Sequence, residues 1–217
     1  MKETLLSILI AAIAYFLGCF STGTLVSSAK GVDIRKEGSK NTGASNVLRV
    51  LGLKSGLVTF VGDFVKATLA CWIGSLLLPG AVWGIDGYGM MLGGLFVIIG
   101  HNWPVFYHFK GGKGVACSVA VIFFVNPLLG ILSVAACVAV IALTRYISAG
   151  SMTMLLCYMI LTCATRWGQW ALCLFSVILF VMCVWRHRAN LQRLRNGTES
   201  KIGQSVKPGQ QPSDEQK

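Results

Sequence analysis

The chain has 217 residues, of which 54% are hydrophobic and 12% charged, with a mean hydropathy of +0.67. A soluble domain carries about 25% charged residues, so this composition cannot cover a water-facing surface and excludes a soluble globular protein. The net charge of +11, from 19 Lys and Arg against 8 Asp and Glu, would suggest nucleic acid in a soluble chain. Here the basic residues sit in short clusters between apolar runs, which points first to membrane topology, then to an anionic ligand, and not to nucleic acid.

A first apolar run covers about residues 4–28. It is too long, and starts with too little charge, for a typical signal peptide, although Ala11–Ala14 mimics a cleavage site. It is expected as a transmembrane helix whose Gly18, Ser21, Thr22 and Gly23 permit close packing in lipid. A polar interval follows, from Gly31 to Arg49. Gly38 and Gly43 free the backbone to turn, and Ser39, Asn41, Thr42, Ser45 and Asn46 add short polar groups. Such a row of N–H groups can form a nest for a phosphate or oxyanion, and a helix could carry Arg49 back toward it. A solvated connecting loop of ordinary turn residues would read similarly.

The second run, about 55–78, is interrupted by Asp63 and Lys66, which share one helical face. They either face a polar cavity or pair with each other in a structural salt bridge. The third run, about 88–100, ends at His101-Asn102-Trp103-Pro104 and leads into Phe109-Lys110-Gly111-Gly112-Lys113-Gly114. These glycines resemble a phosphate loop opening a helix, with Lys113 as a point charge. Two lysines snorkelling at a membrane edge are the plainer reading. The fourth run, 115–125, is short of the ~20 residues that a span needs, so it is a half-span or a tilted helix. Three more runs cover about 128–143, 151–164 and 169–185. From Arg186 the chain is polar and basic, and from 196 to 217 its composition reads as a disordered tail. Residues 1–195 then make a single membrane domain. The eight cysteines fall in or beside apolar runs without metal spacing and are read as small buried apolar residues.

Seven apolar segments predict an all-α, polytopic membrane protein of seven transmembrane helices. Placing the Gly31–Arg49 interval in the cytoplasm puts 16 of the 19 Lys and Arg there, all except Lys2, Lys66 and Arg166. The N-terminus is therefore expected outside and the C-terminus inside. The same placement brings four polar clusters to one membrane face. Beyond the two loops, these are Thr144–Ser151, a turn that is weak evidence alone, and Arg186–Arg195, where His187 and Asn190 share a face. A basic segment binding lipid head groups would look like the last of these.

The chain lacks a His followed five positions later by Asp, lacks a Gly-x-Ser-x-Gly elbow, and shows no run of metal ligands. Many anion-holding groups and few evident bases suit a reaction between two anions, one supplying its own base. A small organic-anion transporter is the alternative, but its signature of internal repeats is missing. A lipid-binding scaffold would need the basic residues without the paired glycine loops.

The segments GVDIRKEGSKNTGASNVLRVLG, GHNWPVFYHFKGGKGVA, the RYIS–GS turn and RHRANLQRLRNGTESKI, in this order, resemble the acyl-phosphate-dependent glycerol-3-phosphate acyltransferases of bacterial inner membranes, the PlsY family. The resemblance spans about 18–202. It implies transfer of a fatty acyl group from acyl phosphate to the 1-hydroxyl of sn-glycerol 3-phosphate, giving lysophosphatidic acid and inorganic phosphate, the first step of bacterial phospholipid synthesis. It implies no cofactor and no metal, a multi-pass protein of the cell membrane with its site toward the cytoplasm, and the acyl-phosphate-producing enzyme as a partner. Carried over by position, Arg49, Lys113, His187 and Asn190 hold glycerol 3-phosphate. Gly38, Ser39, Asn41, Thr42 and Gly43, with Asn46 and Ser151, cradle the acyl phosphate, and Gly111 and Gly112 form the second anion loop. Lys40, Ala67 and Cys117 depart from the family's usual Gly, Gly and Thr, and the first helix lacks a frequent Pro.

Overall fold

The computed structural model describes residues 1–204. Each apolar run is helical, the first as two helices. In chain order they are α1 (Lys2–Cys19), α2 (Thr22–Ser28), α3 (Ala44–Leu77), α4 (Tyr88–Asn102), α5 (Val115–Val125), α6 (Pro127–Thr144), α7 (Ile147–Thr165), α8 (Trp170–Arg186) and α9 (Arg188–Arg195). A two-residue antiparallel hairpin, Ala81–Val82 with Ile85–Asp86, joins α3 to α4.

The first run breaks. Phe20 and Ser21 adopt extended backbone, and the Ser21 hydroxyl accepts from the Thr24 N–H to cap α2. A break at membrane depth frees carbonyls that need donors. Lys66 supplies them, donating to Gly18 O at 3.2 Å and Phe20 O at 2.6 Å. The second run also starts earlier than its apolar stretch. α3 begins at Ala44 and bends at Gly52, whose φ of 81° suits glycine. The bend lays the polar first two turns, with Arg49, back against Gly56. A Cβ there would lie 2.7 Å from that of Leu48.

α1 packs on α4, α3 on α4 and α5, α6 on α7, and α7 on α8. Where α1 crosses α4 the backbones nearly touch: a Cβ on Gly18 would sit 2.3 Å from Val97 O, and one on Gly100 2.1 Å from Tyr15 O. Small residues allow such crossings, which replace the hydrophobic drive that lipid removes. The buried core gathers Cys71, Val97, Ile98, Val121, Met154, Leu155, Tyr158 and Leu179. Four cysteines, Cys19, Cys71, Cys117 and Cys183, are buried, and all eight are free thiols.

Among the described residues, five helical segments are long and apolar enough to cross a membrane, with α1 and α2 together as one; a sixth follows if α8 and α9, bent by 59°, form one broken span. α5 is the remaining apolar segment. Its 11 residues rise ~16 Å, about half a hydrocarbon core. It ends at Asn126, whose side chain accepts from the Leu129 N–H to start α6.

Of the stretch that composition assigns to a tail, 205–217 lies outside the described residues. The part from 198 to 204 is anchored at Glu199 and Ile202, although Thr198 and 201–204 are exposed. Ile202 exchanges hydrogen bonds with Arg145, its N–H donating to Arg145 O at 2.8 Å and its carbonyl accepting from the Arg145 guanidinium at 2.9 Å. Glu199 is buried. Its polar composition resembles disorder because it covers a polar site, not an apolar core.

Candidate active site

One cavity of about 390 Å³ opens at the end of the bundle that carries the polar loops. Its polar end is lined by Ser39, Asn41, Gly43, Arg49, Lys113, Ser148, Ser151, His187, Asn190, Arg193 and Glu199. Its apolar end runs between Leu53, Leu57 and Phe60 of α3, Val115 and Val119 of α5, and Val134, Val138 and Ile141 of α6. Leu53, Leu57 and Val138 are more than half exposed, so this groove opens sideways, onto the belt that faces lipid.

The loop before α3 is built around Asn46. Its Oδ1 accepts from the Ser39 N–H at 2.9 Å, and its Nδ2 donates to the carbonyls of Ile34, Glu37 and Asn41. The side chain is thus spent on shaping the loop. Gly38, at φ 54°, lies so close that a Cβ would meet Asn46 Oδ1 at 2.5 Å. Asn41 Oδ1 accepts from the Gly43 N–H, and Thr42 is buried against Gly23. Gly43, Ala44 and Ser45 line the cavity, which presents the positive end of α3 to it. Lys40 sits at φ 58°, the left-handed region that favours glycine.

The second glycine loop is held from both sides. Arg186 donates to Gly111 O and Gly112 O, with its guanidinium over the Trp103 ring. Behind the loop, the Gly112 N–H donates to His101 O at 3.0 Å. Gly111 and Gly112 therefore stay outside the cavity lining, and the residue that they deliver to it is Lys113.

Lys113 donates to Asn190 Oδ1. Asn190 Nδ2 donates in turn to Glu199 Oε1 at 2.6 Å, and the Ser148 hydroxyl does so at 2.7 Å. Arg193 pairs with the other oxygen of Glu199 at 2.8 Å. Burial, reinforced by Arg193, Arg49 and Arg186 and only partly offset by Glu199, pushes the Lys113 pKa down to about 8. Burial works against ionising Glu199, but hydrogen bonds from Asn190, Ser148 and Arg193 outweigh it and hold the carboxyl below its ordinary value. His187 lies buried at the cavity wall and donates from Nδ1 to Cys183 O at 2.8 Å, leaving Nε2 as an acceptor. Ser151 donates to Ile147 O.

Of the thirteen residues singled out from sequence, nine line the cavity: Ser39, Arg49, Lys113, His187, Asn190, Asn41, Gly43, Asn46 and Ser151. Gly38, Thr42, Gly111 and Gly112 support it from outside. Polar lining residues outside that set include Ser45, Asp63, His101, Ser148, Arg193, Glu199 and Ser200. Glu199 carried a signal, because it is the only carboxylate beyond Asp86 until residue 214 in a strongly basic half of the chain.

A deeper cluster joins three helices. Lys66 lies 2.7 Å from Asp63 Oδ1 and 2.9 Å from His101 Nδ1, and the Thr22 hydroxyl donates to Asp63. Asp63 and Lys66 thus pair, in a larger network, and Asp63 and His101 also line the cavity, so both sequence readings hold in part. With Cys117 they bring metal-ligand atoms together across α3, α4 and α5. The Lys66 ammonium already occupies the position of a cation there.

A cationic, hydroxyl-lined pocket at the head of an apolar groove, inside a bundle of apolar helices, defines an integral membrane protein whose cavity has the chemistry to seat an amphiphilic anion. The chain belongs to the glycerol-3-phosphate acyltransferase family, whose pattern it matches over residues 8–197. It is 42% identical over 201 residues to the glycerol-3-phosphate acyltransferase of a Thermoanaerobacter species, covering 92% of this chain and 98% of that one. The Clostridioides difficile protein of the same name is 41% identical over 202 residues, covering 91% and 96%. Crystal structures of PlsY, an integral membrane glycerol 3-phosphate acyltransferase, share the fold at 32% identity. Each covers 91% of this chain and 96% of the other. The TM-score is 0.83 for the glycerol 3-phosphate form and 0.80 for the lysophosphatidic acid form.

Proposed function

We propose that this protein acylates the 1-hydroxyl of sn-glycerol 3-phosphate, taking the acyl group from acyl phosphate and releasing lysophosphatidic acid and inorganic phosphate. The observation that carries the reading is the continuity of one cavity: cations and hydrogen-bonding groups at one end, an acyl-sized apolar groove open to lipid at the other. Both substrates are anions, and Arg49, Lys113 and Arg193 supply the positive charge that they need.

Lys113 and Arg49 hold the phosphate of glycerol 3-phosphate, Asn190 fixes Lys113, and the free Nε2 of His187 accepts from a glycerol hydroxyl. The first turn of α3, with Ser39, Asn41 and Gly43, receives the donor phosphate beside Ser151. The hydroxyl oxygen attacks the acyl carbonyl carbon, the carbon–oxygen bond to phosphate breaks, and the hydroxyl proton passes to a phosphate oxygen. The leaving group is thus also the base, and the protein contributes positioning and charge. The protein lies in the bacterial cell membrane as seven segments, with the N-terminus outside and the site toward the cytoplasm, supported by the basic loops gathered on that face. The enzyme that makes the acyl phosphate is its functional partner.

The test is phosphate release by purified protein from palmitoyl phosphate, with and without glycerol 3-phosphate, and with palmitoyl-CoA as a parallel donor. Release that requires glycerol 3-phosphate, with lysophosphatidic acid formed one for one and no use of the thioester, is expected. Acylation from the thioester alone would overturn the donor assignment, and no acylation from either would overturn the reaction.

A further inference from the structure

Three side chains from two helices, Asp63 and Lys66 of α3 and His101 of α4, meet behind the Lys113 loop, where Asp63 and His101 also form part of the cavity wall. Lys66 donates to the carbonyls of Gly18 and Phe20 where the first span breaks. It also pairs with Asp63 and reaches His101 Nδ1. Lys66 Nζ lies 2.9 Å from His101 Nδ1, and the other ring nitrogen, Nε2, is turned toward the loop. There it fills the space of a side chain that residue 112 lacks: a Cβ on Gly112 would lie 2.0 Å from His101 Nε2. The same residue's carbonyl accepts from the Gly112 N–H. Arg186 closes the loop from the other side through the Gly111 and Gly112 carbonyls. Lys66 is tied to Asp63 and to two carbonyls of the broken span, and His101 meets the loop through both its carbonyl and its ring, so the cluster holds a shape, and the shape sets the next residue, Lys113.

We infer that Asp63, Lys66 and His101 are positioning residues, which fix the Lys113 loop against the break of the first span and so set the affinity for the anion that Lys113 holds. The inference rests on the proposed role of Lys113 in binding glycerol 3-phosphate. It explains why charges are kept at membrane depth, where they are costly, and why residue 112 is glycine although its backbone lies outside the left-handed region.

The test is a mutant cycle on the contact between ring and loop. Gly112→Ala drives a methyl into the imidazole; His101→Ala removes the ring. Each single variant should raise the KM for glycerol 3-phosphate about tenfold or more with the KM for the acyl donor little changed. The double variant should be no worse than His101→Ala alone, because the methyl then has room. In parallel, acetylation of Lys113 by acetic anhydride is followed by mass spectrometry against exposed Lys54, and its relative rate should rise in both single variants. This readout requires no turnover. If wild-type protein ignores glycerol 3-phosphate, the functional reading fails while the labelling still decides whether the cluster sets the loop. Losses that simply multiply in the double variant, or a His101→Ala protein with unchanged labelling and KM, would overturn the inference. Gly112→Ala keeps every charged side chain of the network in the chain, so the test survives if His101→Ala does not fold.

Discussion

Lys113 and Asn190 are joined directly, ammonium to carboxamide oxygen, across 77 residues of chain. The bond ties the loop that opens α5 to the helix that follows α8, and Glu199 completes it from the far side. The cationic end of the cavity is therefore one hydrogen-bonded unit, not a collection of independent charges.

Lys113 must be charged to hold a phosphate. Its pKa, held down to about 8 by burial and neighbouring cations, lies well below the ordinary 10.5. Between these values the folded protein binds fewer protons than the unfolded chain, so this group makes the apo protein more stable as pH rises through that window. Ligand affinity moves the opposite way. The KM for glycerol 3-phosphate should be flat below pH 8 and rise about tenfold per unit well above it, and Lys113→Arg should flatten the rise. Lys113→Ala should cost about 10²–10³ in kcat/KM. Steady-state kinetics from pH 6.5 to 9.5 check all three.

Glu199 is the carboxylate that Ser148, Asn190 and Arg193 share. Glu199→Ala leaves three donors without their acceptor and frees the strap at 198–204. Both a lower unfolding temperature and a loss of turnover are expected. The carboxyl is held below its ordinary value, so its stabilising contribution is present above that value and disappears as pH falls through the lowered one. Thermal unfolding in detergent at pH 3.5 and 7 should show the wild-type advantage over Glu199→Ala shrink at the lower pH.

Leu57 lines the apolar groove and is half exposed, so the fold can accept a larger side chain there. Leu57→Trp should shorten the groove. A buried methylene contributes about 0.8 kcal/mol, so excluding two or three of them should shift kcat/KM from hexadecanoyl toward octanoyl donors by about 10–100-fold. The KM for glycerol 3-phosphate should hold. Competing the two donors in one reaction and weighing the products measures the ratio.

Lys40 adopts a left-handed backbone at φ 58°, which costs a non-glycine residue about 1–2 kcal/mol. Lys40→Gly removes that strain but gives the unfolded chain more freedom, about 0.5–1 kcal/mol. A net stabilisation below about 1 kcal/mol is expected, with activity unchanged. Calorimetry of the two proteins would detect it.

Hydropathy alone determined that the chain is an all-helical membrane protein and where its apolar segments lie, because transfer into lipid depends on contiguous local composition. Local residue type also marked the loops that build the polar end of the cavity, since glycine and short polar side chains advertise exposed N–H groups. Tertiary structure decided which of those groups face the cavity. Asn46 has the right chemistry, yet its amide donors go to three loop carbonyls. Gly111 and Gly112 read as a phosphate cradle, but their carbonyls are taken by Arg186 and the Gly112 N–H by His101. Glu199 looked like tail because burial there is bought with hydrogen bonds, which leave no apolar pattern to read. The spacing of Asp63 and Lys66 showed a shared face, but His101 joins them from another helix, 35 residues past Lys66. No local periodicity records such a meeting, because it is set by how the glycine crossings bring α1, α3 and α4 together.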